Sequence, residues 1–125
     1  MKAINTENAP SAIGPYSQAM VSGSMVYTSG QIAINPASGN IEAKTIEEQT
    51  HQVCKNLKAV LEASGSSLTQ VVKTVCFLSN MDDFAAFNAV YAEYFTSKPA
   101  RSCVAVKTLP KNVLVEIDCI AERLI

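Results

Sequence analysis

The chain has 125 residues, 48% of them hydrophobic, and sets 10 Lys plus Arg against 11 Asp plus Glu for a formal charge of -1. That length fits a single domain, 1–125, removing about two thirds of its unfolded surface from water, and leaves no room for a second. There is no basic stripe to follow a phosphate backbone, no run near the roughly 20 apolar residues of a membrane span, and no signal-peptide pattern in Met1–Ala12. The expectation is a cytoplasmic protein whose main partner is neither nucleic acid nor membrane.

The first clear element in chain order is Met25–Ala33 (MVYTSGQIA), rich in β-branched and aromatic residues and ending at Asn35–Asn40 (NPASGN). It predicts a strand followed by a turn. Thr45-Ile46-Glu47-Glu48 is a capping box, so a helix starts there. Ile46, Val53, Leu57, Val60 and Leu61 form its apolar stripe, Gly65 after Ser64 supplies a left-handed stop, and His51 falls on the solvent side.

Val71–Leu78 (VVKTVCFL) reads as a strand apolar on both faces, with Val71, Val75 and Phe77 on one and Val72, Cys76 and Leu78 on the other. One helix layer covers one face, so the second needs another chain or an unseen layer, which motivates the expectation of an oligomer. Asp82 or Asp83 is expected to cap a second helix reaching about Phe95, with Phe84, Phe87, Tyr91 and Phe95 inward and Asn88 among them needing a partner. Beyond Pro99, Ser102–Val106 and Val113–Ala121 read as a hairpin joined around Leu109–Asn112. This order predicts an α+β protein, a mixed sheet with two helices packed on one face.

In such a hairpin Arg101, Cys103 and Ala105 share a face with Glu116 and Asp118. A guanidinium beside carboxylates is either a plain cross-strand ion pair or a fork for a ligand carboxylate with a glutamate to orient water. Both stay open on pattern alone. Cys103 also falls beside Arg101, whose charge favours a thiolate, although a cysteine nucleophile normally wants a base such as His. Cys54, Cys76, Cys103 and Cys119 lack the close pairs of metal sites, so reduced thiols and no metal are expected. Tyr16 after the turn pair Gly14-Pro15 is open to capping the core with its hydroxyl in water, Ser29-Gly30 to marking a bulge, and both to ligand contact.

Pro99-Ala100-Arg101-Ser102-Cys103-Val104, Leu109-Pro110 and Val115-Glu116-Ile117 resemble the C-terminal signature of the reactive-intermediate deaminase family (RidA, formerly YjgF). Ala12-Ile13-Gly14-Pro15-Tyr16-Ser17-Gln18, Thr28-Ser29-Gly30-Gln31-Ile32, and Asn88 before Tyr91 are similar to its other motifs, in the family order. The resemblance implies a chorismate-mutase-like fold, a homotrimer with sites in clefts between subunits, and no cofactor. It implies hydrolysis of 2-imino acids, such as 2-iminobutanoate and 2-iminopropanoate, to 2-oxo acids and ammonia, which protects pyridoxal-phosphate enzymes. Carried over by position, Arg101 is the carboxylate clamp, Glu116 orients water, Cys103 contributes mainly through its backbone, and Tyr16, Ser29, Gly30 and Asn88 line the pocket. The link from Phe95 to Pro99 looks shorter than in many members, and Ala105 and Cys119 replace residues that are often Glu and Ala. Competing readings are a non-catalytic small-acid-binding interaction module and a ribonuclease or translation inhibitor; the even charge disfavours the last.

Overall fold

Side-chain alternation and helical periodicity resolve into six strands and two α-helices among residues 1–124, which the computed structural model describes. The strands are β1 (Lys2–Ile4), β2 (Ala19–Ser22), β3 (Met25–Thr28), β4 (Val71–Leu78), β5 (Ala100–Ala105) and β6 (Val115–Glu122); the helices are α1 (Ile46–Ala63) and α2 (Phe84–Tyr94). They build one mixed sheet in the order β1-β2-β3-β6-β4-β5. Every neighbouring pair is antiparallel except β4 and β5, which run parallel across the α2 crossover.

The capping box forms as the sequence predicts. Thr45 Oγ1 accepts from Glu48 N–H at 3.1 Å, and Glu48 Oε1 accepts from Thr45 N–H at 3.2 Å. These contacts also hold the Glu48 carboxyl below its ordinary range, the backbone N–H groups of Lys44 and Thr45 contributing most. At the other end Gly65 takes φ +78°, the left-handed stop that a Cβ disfavours. The predicted stripe of α1 is buried throughout and closes on Val26, Cys76, Leu78, Val115, Ile117 and Cys119 of the sheet. Each such aliphatic side chain contributes about 1.5–3 kcal/mol on burial.

Both helices cover the same face. On the open face Val75 and Phe77 are half-buried, and Val104 and Tyr27 are 49% and 46% exposed. That leaves an apolar strip without an inner cover in the single chain. Among the described residues no helix is long and apolar enough to cross a membrane.

Four expectations are corrected. The strand expected over Met25–Ala33 ends at Thr28, because Ser29 and Gly30 leave the ladder and only Gln31 rejoins it, opposite Ile117. The ladder of β4 shifts between Val71 and Lys73, so Val71 joins the helix-covered row instead of the row of Val75 and Phe77, and Val72 is exposed. Asn80, not Asp82 or Asp83, supplies the capping side chain ahead of α2, accepting from Asp82 N–H at 2.9 Å before a 3-10 turn over Met81–Asp83.

The fourth correction bears on the site. The strands expected as a hairpin, Ser102–Val106 and Val113–Ala121, become β5 and β6, and β4 lies between them. Their connection exceeds the about two to five residues of a tight hairpin, and it turns through Lys111 and Asn112, both at positive φ. Arg101, Cys103 and Ala105 therefore align with Thr74, Cys76 and Leu78 on the helix side. Glu116 and Asp118 align with Phe77 and Val75 on the open side. In one chain the arginine and the two carboxylates lie on opposite faces of the sheet.

Thr45→Ala should lower the stability of the chain by about 1 kcal/mol, within the roughly 0.5–2 kcal/mol range of such caps. Urea unfolding checks this, with a lower midpoint and an unchanged slope expected.

Candidate functional site

Arg101 sits on the edge strand, so its side chain reaches past the sheet under α2. Its Nη1 donates to Asn88 Oδ1 at 2.6 Å. The guanidinium lies over the rings of Tyr91, Phe84 and Phe87, at 4.9, 5.4 and 6.0 Å from their centroids. The Tyr91 hydroxyl is itself held by Thr74 Oγ1 at 2.7 Å. Rings and amide together fix the plane of the fork while the residue stays exposed, leaving donors free for an anion. A pocket of about 390 Å³ opens beside it, lined by Asn88, Tyr91, Phe95, Thr96, Lys98 and Pro99 among others.

The remaining predicted residues gather elsewhere. Tyr16, Gly30 and Glu116 line a smaller hollow of about 90 Å³ together with Ile13, Gln31 and Pro110. Tyr16 is 48% exposed, and its hydroxyl accepts from Ile13 N–H at 3.4 Å. Ser29 turns inward: its hydroxyl donates to Ser17 O at 2.5 Å, while its N–H donates to Gln18 O at 2.9 Å. Gly30 passes so close to Glu116 that a Cβ there would overlap the carboxylate. The constraint on Gly30 is proximity, not backbone angle: a side chain there would have to push the Glu116 carboxylate aside.

Burial and then the neighbouring Asp118 charge raise the Glu116 carboxyl above the ordinary glutamate range, and burial does the same to Asp118. Such a carboxylate holds a proton more strongly than an exposed glutamate does. Cys103 departs from the thiolate expectation: burial pushes its thiol up, and the Arg101 charge offsets this only in part. Cys76 and Cys119 are pushed up to about 12 by burial, as befits inert core thiols. Among the described residues no cluster of three or more His, Cys, Asp or Glu is arranged to hold a metal. His51, expected on the solvent side, is half-buried and bonded through Nδ1 to the Tyr94 hydroxyl at 2.7 Å, tying α1 to α2.

Three buried carboxamides escaped the sequence reading. Gln18 donates to Thr6 O and Pro10 O at 3.0 and 2.8 Å and accepts from Thr6 N–H at 2.7 Å, holding the segment that leads to Tyr16. Asn56 donates to Ile32 O and Ile34 O at 3.0 and 2.9 Å, fixing the loop that carries Gly30. Gln49 accepts from Leu114 N–H at 2.8 Å, just ahead of β6 and Glu116. The signal was present on α1, where Gln49 and Asn56 alternate with Ile46, Val53 and Val60 at helical spacing.

A mixed six-stranded sheet with both helices on one face defines the class, an α+β protein, with an arginine stacked at the sheet edge and a burial-raised glutamate on the other face. Residues 6–123 match the family model described as endoribonuclease L-PSP, and the chain belongs to that family. It is 54% identical to a RutC family protein of Pyrococcus horikoshii, over 96% of each chain. It is 48% identical to the 2-iminobutanoate/2-iminopropanoate deaminase of Salmonella typhimurium, over 98% of each. Among solved structures, the YjgF gene product of E. coli superposes with a TM-score of 0.94 at 46% identity, covering 99% of this chain and 100% of that one.

Asp118 has a folded pKa above its unfolded one, so its ionisation opposes folding as pH rises through that interval and has no effect below it. Asp118→Asn should therefore raise the denaturation midpoint at pH 7, with the gain vanishing at about pH 3 in parallel urea titrations. Gly30→Ala should still unfold cooperatively but displace the Glu116 carboxylate, seen as a shifted Glu116 titration by carbon-detected NMR. An unmoved titration would mean that the close approach is unimportant.

Proposed function

We propose that the chain hydrolyses short 2-imino acids to 2-oxo acids and ammonia, in clefts between copies of itself within a cytoplasmic homotrimer. The observation that carries the reading is the division of the site: a guanidinium held by Asn88 and aromatic rings, with no carboxylate partner among the described residues, on one face of the sheet and a burial-raised carboxylate beside Gly30 on the other. Neither half suffices for the reaction, and a second copy supplying the missing half to each cleft reconciles them. The family membership and the Salmonella relative's name support the same chemistry.

Arg101 holds the substrate carboxylate in its fork, with Asn88 setting the fork's plane. Glu116 of a neighbouring copy accepts a proton from water as the water oxygen bonds to the imine carbon. That proton passes to the former imine nitrogen to give the carbinolamine, and the hydroxyl proton then follows to the same nitrogen through Glu116 as the C–N bond breaks, so that the carbonyl forms and ammonia leaves. Tyr16, Ser29 and Gly30 wall the cleft beside Glu116, and Cys103 contributes through the backbone of the edge strand. The imine carbon is already electrophilic, so the reading needs no cofactor. Removing reactive imines shed by pyridoxal-phosphate enzymes is the role that fits this chemistry. The family description also speaks of an endoribonuclease. A chain of net charge -1 without a basic stripe offers poor support for RNA as its main ligand.

The test is to generate 2-iminobutanoate with a dehydratase and trap what remains with semicarbazide. Wild type should speed imine loss, and Arg101→Ala should forfeit about 2–5 kcal/mol of transition-state binding. The rate should rise with pH through the raised Glu116 pKa, and Glu116→Gln should abolish that limb. Co-expressing the two inactive variants should restore activity, because mixed oligomers contain intact clefts. Equal slow decay with wild type and Arg101→Ala would overturn catalysis, and saturable 2-oxo-acid binding without turnover would favour a binding module.

A further inference from the structure

We propose that the arginine pocket is built for a dianion, and that the preferred substrate class is a 2-imino dicarboxylic acid whose second carboxylate is held by Lys98. The word substrate rests on the hydrolase reading; the binding preference does not.

Lys98 lines the same 390 Å³ pocket as Arg101. No Asp or Glu lines it; Asn88 and Thr96 supply neutral polar groups, and Tyr91, Phe95 and Pro99 supply apolar surface. Two cationic residues in the lining of one cavity, with no acid there to offset them, make its mouth electropositive. A ligand with one negative group compensates only one of them, whereas a ligand with two compensates both. The apolar lining suits the short methylene spacer of a dicarboxylic acid.

The backbone supports the placement. Lys98 takes φ +55°, a conformation that non-glycine residues seldom adopt, directly before Pro99. It is held there by the compact link out of α2, in which Phe95 N–H donates to Tyr91 O at 3.0 Å and Lys98 N–H donates to Phe95 O at 3.2 Å. Strain of this kind persists where the surroundings demand it and clusters at ligand sites. The turn leads into β5 so that Lys98 and Arg101, on either side of Pro99 in the chain, line one pocket. A purely structural role is the competing account, since a lysine just past the C-terminus of a helix also complements its dipole.

Calorimetry with 2-oxoglutarate and 2-oxobutanoate, unreactive analogues with two charges and one, decides between them. The dianion should bind wild type about fivefold tighter at low salt. Lys98→Met, which keeps the aliphatic stem, should bring the ratio of dissociation constants close to one, while Lys98→Arg should keep it. Equal affinities in wild type, or a preference that survives Lys98→Met, overturn the proposal. So does a lower unfolding midpoint in Lys98→Met with an intact binding ratio, the signature of the structural role. Turnover of 2-iminoglutarate and 2-iminobutanoate, generated by an amino-acid oxidase, then extends the comparison to kcat/KM. If neither imine is hydrolysed, the hydrolase reading fails while the calorimetric ratio still decides the dianion preference.

Discussion

The site depends on where β6 lies in the sheet. Inserted between β3 and β4, it pairs on both sides, so alternation along a strand becomes a barrier one sheet thick. Val115, Ile117, Cys119 and Ala121 are committed to the helices, which forces Glu116 and Asp118 onto the open face. β5 receives its register from β4 instead, and that register puts Arg101 under α2. Separation of the positive fork from the acidic groups is thus a consequence of core burial. A register slip that united them would expose the core residues of β6.

Around that frame the fold uses neutral amides where a charge would be expensive to bury. Gln18, Gln49 and Asn56 are each at least 95% buried, yet each bonds the backbone of a segment bearing Tyr16, Glu116 or Gly30. A carboxamide offers donors and an acceptor at once, so one side chain can satisfy several loop groups that helix and sheet leave unpaired. Among the described residues every buried side-chain nitrogen and oxygen has a partner. The loop anchored by Asn56 inherits the rigidity of α1, which keeps Gly30, itself outside the ladder, in close approach to Glu116 on β6.

Local chemistry was legible in the sequence, and partnership between strands was not. The Thr45 capping box, the Gly65 stop, the ends of β4 and the inward ring of Phe87 all depend on residues a few positions apart, and each appears as read. Strand pairing is set by the whole sheet, so sequence adjacency suggested a hairpin where β4 intervenes. The Val72 bulge has no local marker, because Val71 and Val72 fit either face equally. Asn80 lost to Asp82 and Asp83 in the reading because a 3-10 turn sets the cap earlier than an α-helix would. Of the residues the family motifs point to, Arg101 and Asn88 border one hollow and Gly30 and Glu116 another, whereas pattern alone put the arginine and glutamate on one face.

The open face joins the fold to the proposed cleft. Val75, Phe77, Val104 and Tyr27 form an apolar strip around two carboxylates already made less acidic by partial burial. Covering that strip with another copy would withdraw further water from Glu116 and strengthen its affinity for a proton, as the water-orienting role requires. Covering it with an unrelated apolar surface would bury the carboxylates without compensation and work against association. Under the proposed function, Arg101 at the exposed edge of an identical chain would bring a cation already paired with the substrate carboxylate, easing the burial of Glu116 without cancelling its raised proton affinity. Assembly and chemistry would then rest on the same desolvation, with the sheet serving as partition within one chain and as wall of the cleft between two.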